Sequence, residues 1–134
     1  MSVSVKAYTA QEQANLTLVE AMYHDVLKPL DSTHVDRYIA PDYVQHSPLA
    51  DNGPQPLKDF LDFIKGESPN AVHNVKRLFA DGDHVIAHTH VIRYPGDAGL
   101  AVVDIYRIEN NLIAEHWDVI QEIDPAVANA ASMF

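Results

Sequence analysis

The sequence predicts an α+β domain with helices packed on one face of a curved antiparallel sheet. Three observations carry this. Apolar residues recur at helical spacing in the first half of the chain. From Ala71 onward they alternate with period two in four consecutive segments. The links between those segments are turn sequences, too short for crossover helices. At 134 residues and 47% apolar content the chain is sized for one domain, residues 1–134, with a core of its own.

Thr9 and Glu12 make a capping box, Thr9 accepting the amide of Glu12 while Glu12 reaches back. Leu16, Val19, Met22, Tyr23, Val26 and Leu30 then follow the helical period, so a helix runs from about Ala10 to Leu27 and Pro29 ends it. A second, shorter helix is expected after Asp31 or Ser32, burying Val35, Tyr38 and Ile39 and stopping before Pro41. The stretch "PDYVQHSPLADNGPQP" reads as extended chain with a short strand at Asp42 to His46. "PLKDFLDFIKG" is a third helix, with Pro56 in its first turn, Leu57, Phe60, Leu61 and Ile64 on one stripe, and Gly66 as its stop.

Strand alternation covers Ala71 to Ala80, His84 to Tyr94, Leu100 to Glu109 and Leu112 to Ile123. The links "DGD", "PGDAG" and "NN" make the neighbours antiparallel, a meander. A strongly curved sheet of this kind, its mouth closed by helices, leaves a cone with a cavity inside.

Composition narrows the function. There is no cysteine, hence no disulfide, thiolate nucleophile or thiolate metal site. A net charge of −10 with nine scattered Lys and Arg disfavours nucleic acid and anionic membrane surfaces. No segment is long and apolar enough for a bilayer, and "MSVSVKAYTAQEQ" lacks the apolar stretch of a signal peptide, so a cytoplasmic protein is expected. Its partners are expected to be a small molecule and a second copy of the chain, in a homodimer.

The last strand, "IAEHWDVIQE", places a carboxylate and an imidazole among large apolar residues. Ala114, His116, Asp118 and Ile120 share one face, and Glu115 and Trp117 the other. On the preceding strand Val102, Asp104, Tyr106 and Ile108 lie opposite in sense to Arg107. Arg107 and Glu115 mark the outward face, so Asp104, His116 and Asp118 are expected to point inward. His88 is expected to join them, sharing a face with Ile86, His90 and Ile92, as is His46 from "YVQHSP". The pocket lining would be Ile86, His90, Val102, Tyr106 and Ile120, with Ile108 adding to the apolar wall. A lone inward His is more often a satisfied core residue than a catalyst. Two inward acids, each near an imidazole, are harder to explain by packing, because desolvating carboxylates is costly. His24, His34, His73 and His84 read as surface or turn residues. "GDHVIAHTH" has the H-x-H opening of a cupin motif but not the Glu that should follow, so no metal is expected. No G-x-S-x-G elbow supports a serine nucleophile.

"YIAPDYVQHSP" followed by "VVDIYRIENNLIAEHWDVIQEI" and a short tail resembles the SnoaL-like polyketide cyclases of the NTF2-like superfamily, over essentially the whole chain. The resemblance implies a cone-shaped α+β barrel with three N-terminal helices and a deep central pocket, usually dimeric. It also implies intramolecular aldol condensation without metal or cofactor, with the aspartate of the final strand, here Asp118, as acid/base. Those cyclases carry a histidine where this chain has Asp104. A carboxylate taken into an apolar cavity becomes a stronger base. The expected activity is therefore enolate formation on a small carbonyl compound, by aldol condensation or isomerisation. Asp118 would be the base, a histidine (His46, His88 or His116) the donor to the oxyanion, and Asp104 the group that orients a histidine or shares a proton. The alternatives are a non-catalytic small-molecule binder, or a hydrolase or hydratase in which Asp118 activates water.

Overall fold

The capping box forms as its residues require: Thr9 Oγ1 accepts from the Glu12 amide at 3.1 Å, and Glu12 Oε1 accepts from the Thr9 amide at 3.0 Å. The same carboxylate accepts from the Gly82 amide at 2.9 Å, tying this helix end to a strand turn. The protein is described from a computed structural model covering residues 7–134. The first six residues of the segment read against a signal peptide lie outside it. Helix α1 spans Ala10–Met22 and continues as a π turn over Tyr23–Leu27, where the Lys28 amide reaches five residues back to Tyr23 O at 2.8 Å. The chain leaves through Leu30, a non-glycine residue at φ +54°. That left-handed conformation is costly for a Cβ-bearing residue, and burial of its side chain, 3% exposed, offsets the cost.

Asp31 caps a 3-10 turn over Ser32–Arg37 by accepting from the Thr33 amide at 2.9 Å, and Val35 is buried beneath it. This turn is shorter than the expected second helix. Ile39, assigned to that helix from the sequence, instead opens strand β1 (Ile39–Gln45). Helix α2 spans Pro54–Glu67, so both Pro54 and Pro56 fall in its first turn, where a missing amide is tolerated. Gly66 does not stop it; Ser68 holds the C-cap.

Strands β2 (Val72–Asp81), β3 (His84–Ile92), β4 (Leu100–Glu109) and β5 (Leu112–Glu122) form the expected meander. Asn110 and Asn111, at φ +52° and +61°, supply the left-handed pair that a two-residue hairpin needs. Strand β1 joins the far side in parallel with β5, giving the order β1-β5-β4-β3-β2. The sheet stays open, with β1 and β2 as its edges, and the helices cover its concave face. Val19, Val26, Val35, Leu61, Val85 and Ile113 are sealed between the two layers. Among the described residues no helix is long and apolar enough to cross a membrane.

The β3–β4 link depends on Gly99, at φ +91°. A Cβ there would stand 2.4 Å from the Val91 carbonyl oxygen, a backbone atom that cannot swing aside. Gly99→Ala should therefore destabilise the fold by about 2 kcal/mol or more, read as a lower midpoint in chemical denaturation.

Candidate active site

Register decides which side chains reach the interior. Asp104 on β4 pairs directly with Asp118 on β5, and Tyr106 with His116. The parallel ladder sets Gln45 of β1 beside His116. Paired residues share a face, so these groups project together into a cavity of about 440 Å³ between sheet and helices. Met22, Leu27, Leu30, Leu57, Phe60 and Ile64 wall it from the helical side, and Val102 and Ile120 from the sheet. An apolar chamber with a few converging polar groups is the usual form of a small-molecule site.

Strand β3 is one residue out of the expected phase. Ala87 opposes Asp104, so Ala87, Thr89 and Val91 face in while Ile86, His88 and His90 face out. His88 meets the guanidinium of Arg77 on the outer surface, and His90 stacks on Phe134 with ring centroids 4.5 Å apart. His46, one residue past Gln45, also lies outside. Its Nε2 is 2.6 Å from Glu115 Oε2, and its ring stacks on Trp117 at 4.9 Å. Arg107 and Glu115 do pair on this outer face, at 2.8 Å. Ile108 is packed in the core away from the cavity. Asp104, His116, Asp118, Val102, Tyr106 and Ile120 all line the cavity.

The inward polar groups form one hydrogen-bonded chain. Tyr23, carried in by the π turn, donates its hydroxyl to Asp104 Oδ2 at 2.8 Å, and its oxygen lies 2.8 Å from the Tyr106 hydroxyl. Asp104 Oδ1 is 2.8 Å from His116 Nε2, and His116 Nδ1 is 2.7 Å from Gln45 Oε1. The Ser47 amide donates to that same Gln45 oxygen at 3.0 Å, while Gln45 Nε2 donates to the Tyr43 hydroxyl at 3.0 Å. A backbone amide only donates, so the Gln45 atom is an acceptor, and His116 Nδ1 must carry a hydrogen. The second His116 nitrogen then shares a proton with Asp104. The pair carries no net charge, and neither nitrogen is left to contact a ligand.

Asp118 differs. It is half-buried on the cavity wall and receives no hydrogen bond from any described residue. Burial pushes the Tyr23 and Tyr106 hydroxyls well above their ordinary range, with the Asp104 charge adding to it, so both remain protonated donors. Arg93 also lines the cavity, yet Asp97 holds its guanidinium at 2.9 and 3.2 Å. Those hydrogen bonds draw the Asp97 carboxyl down to about 2. Asp104, His116 and Asp118 each offer a ligand atom within 4.8 Å of the others. A cation there would have to displace the Asp104–His116 and Asp104–Tyr23 bonds, so the set fits a metal poorly.

Tyr23, Tyr43, Gln45, Ser47 and His73 line or support the site without being singled out from the sequence. Tyr23 read as one more apolar position on the helical stripe. Gln45 stood beside the more conspicuous His46. His73, read as a surface or turn residue, sits on the cavity wall with its Nδ1 sealed and unpartnered.

The model of the SnoaL-like domain matches residues 19–116. None of the proteins of curated function matches the chain in sequence. Among solved structures, a candidate polyketide cyclase from Bacillus cereus superposes with a TM-score of 0.73 at 16% identity, over 85% of this chain and 79% of that one. IdmH, a candidate polyketide cyclase from Streptomyces antibioticus, gives 0.67 at 17% identity, over 80% and 91%. A candidate isomerase of the SnoaL-like family from Agrobacterium tumefaciens gives 0.68 at 15% identity, over 81% and 98%. At these identities the likeness is one of fold.

Burial of His73 has a pH signature. Desolvation pushes its imidazole below the ordinary value, against an opposing pull from the Asp104 charge. The unfolded chain therefore binds the extra proton first, and stability falls as pH drops through about 6.5 toward the folded value, by up to ~1.4 kcal/mol per pH unit. His73→Leu should flatten that slope between about pH 7 and pH 5; denaturation curves of both proteins across this range would show it.

Proposed function

The chain belongs to the family of SnoaL-like domains, and from that premise we propose that it is a cofactor-independent acid/base enzyme of the polyketide cyclase type. It acts on a small, largely apolar carbonyl compound. Asp118 removes a proton from the carbon next to the carbonyl, the C–H electrons pass to the carbonyl oxygen, and the resulting enolate attacks a second carbonyl or is reprotonated elsewhere. The first outcome is an aldol ring closure and the second an isomerisation, a lyase- or isomerase-type activity. The names of the solved relatives, cyclases and an isomerase, agree with either.

One observation carries the assignment: Asp118 is a carboxylate in the cavity that no described residue engages, beside an Asp104–His116 pair whose polar atoms are all in use. His116 serves as a positioning residue. Its ring holds Asp104 in a pair of no net charge, so Asp118 has no second uncompensated anion beside it. The reaction moves a proton and needs no electron acceptor. Its readout is hydrogen–deuterium exchange at the α-carbon of aryl ketones and cyclic enones, followed by NMR in heavy water. The wild type should catalyse exchange with part of such a panel, and Asp118→Asn should lower the rate by about 10²–10⁴-fold with the folded spectrum unchanged. Undiminished exchange in that variant would remove Asp118 from the role; binding without exchange by the wild type would leave a ligand carrier.

We also propose that the protein is a homodimer through the outer face of its sheet. Val119 and Phe79 are 67% and 49% exposed there. Ile86, Val103, Ile105 and Trp117 lie on the same face. So much apolar surface on one side marks an interaction site. Light scattering should give twice the chain mass for the wild type, and Val119→Lys should shift it toward the monomer.

A further inference from the structure

Enolate formation leaves negative charge on the carbonyl oxygen, and a donor must meet it. The histidines expected for this task are unsuited: His46 and His88 lie outside, and both His116 nitrogens are engaged. Hydrogens can be counted along the remaining chain. The Tyr23 hydroxyl gives its hydrogen to Asp104, so Tyr106 gives its own to Tyr23. Gln45 donates to the Tyr43 oxygen. The hydrogen of Tyr43 itself has no acceptor among the described residues, although the side chain lines the cavity and is 3% exposed. A buried hydroxyl hydrogen without an acceptor is costly, and an incoming oxygen removes the cost.

Ser47 is the rival. It also lines the cavity, its oxygen accepts from the Leu49 amide at 3.4 Å, and its hydrogen is uncommitted. Two facts favour Tyr43. A phenol is a stronger donor than an aliphatic hydroxyl, and Tyr43 receives a hydrogen bond from Gln45, which polarises its O–H further. Burial, with the Asp104 and Asp118 charges adding to it, holds its proton in place, so Tyr43 donates a hydrogen bond without giving the proton up. Tyr43 and Asp118 line the same cavity, and no hydrogen bond joins them.

Resting on the assignment of Asp118 as base, we propose that the Tyr43 hydroxyl is the hydrogen-bond donor to the developing enolate oxygen, and that the cavity consequently binds planar aryl oxyanions once Asp118 is neutral. In the step itself the α-proton goes to the Asp118 carboxylate, the C–H electron pair forms the C=C bond, and the C=O π pair settles on oxygen. Tyr43 keeps its proton and donates a hydrogen bond throughout. Gln45 is a positioning residue for two groups at once, fixing His116 through its oxygen and Tyr43 through its nitrogen.

The test uses 4-nitrophenol, whose visible absorbance separates phenol from phenolate, and Asp118→Asn as background, in which the neutral amide stands for the protonated acid. This variant should bind the dye as phenolate, more tightly than the wild type does. Adding Tyr43→Phe should weaken phenolate binding about tenfold or more, the worth of one charge-assisted hydrogen bond, whereas adding Ser47→Ala should change it less than about twofold. Should Tyr43→Phe fail to fold, 3-fluorotyrosine at position 43 keeps the shape and sharpens the donor, and affinity should rise. Phenolate affinity indifferent to Tyr43, a loss carried by Ser47→Ala, or no phenolate binding at millimolar dye would each overturn the proposal. Equal phenolate affinity in the wild type and Asp118→Asn would count against Asp118 as the base while the Tyr43 comparison still reads independently.

Discussion

Asp104 is a carboxylate with 9% exposure in the middle of a β-sheet, and each of its oxygens has to be met by a donor. Much of the interior follows from that demand. One oxygen draws the Tyr23 hydroxyl across from the helical layer, a contact between residues 81 positions apart in sequence. The other holds the ring of His116, which hands the constraint on to Gln45 and so to strand β1. Helix, meander and edge strand are therefore tied through one buried anion as well as through apolar packing. Removing a single member would leave a desolvated group behind, a larger loss than any one of these hydrogen bonds contributes.

Much of the architecture was legible because its turns are chemically explicit. The Asn110–Asn111 pair can hardly do anything but close a two-residue hairpin, and that fixes β4 against β5. Arg107 and Glu115 then mark the wet face, so the inward pointing of Asp104, His116 and Asp118 could be read from residue parity. Strand β3 was harder. Both of its faces carry β-branched residues, and the seven-residue link to β4 leaves the register free to slip by one, which exchanges inside and outside. That single residue moves His88 and His90 to the surface. In β2 a bulge between Val75 and Arg77 leaves Lys76 and Arg77 both exposed, breaking the alternation that would have revealed His73 as an inward residue. His46 was misplaced for another reason: a parallel pairing between distant segments leaves no local trace.

The two sides of the sheet divide the ionisable groups by task. Outside, Arg107, Glu115 and His46 form a partly exposed network in which the carboxyl of Glu115 is held below its usual range by Arg107 and then by His46. Such surface pairs contribute little to stability. Inside, charges are cancelled in place: Asp104 against His116, and Arg93 against Asp97 at the cavity wall. A chain with ten net negative charges thus leaves Asp118, among the described residues, as the one cavity carboxylate that no side chain opposes.

The π turn at Tyr23–Leu27 holds one residue more than regular winding would allow. Everything before it is rotated about the helix axis by roughly 100° relative to everything after. That offset lets Tyr23 reach the sheet while Leu27 and Leu30 still face the chamber. In a family comparison the length difference would then surface in the last turn of a helix, just before the chain leaves through Leu30. A relative one residue shorter here would keep the same outline yet aim its tyrosine elsewhere, so an insertion site of this kind sorts relatives by chemistry where overall superposition cannot.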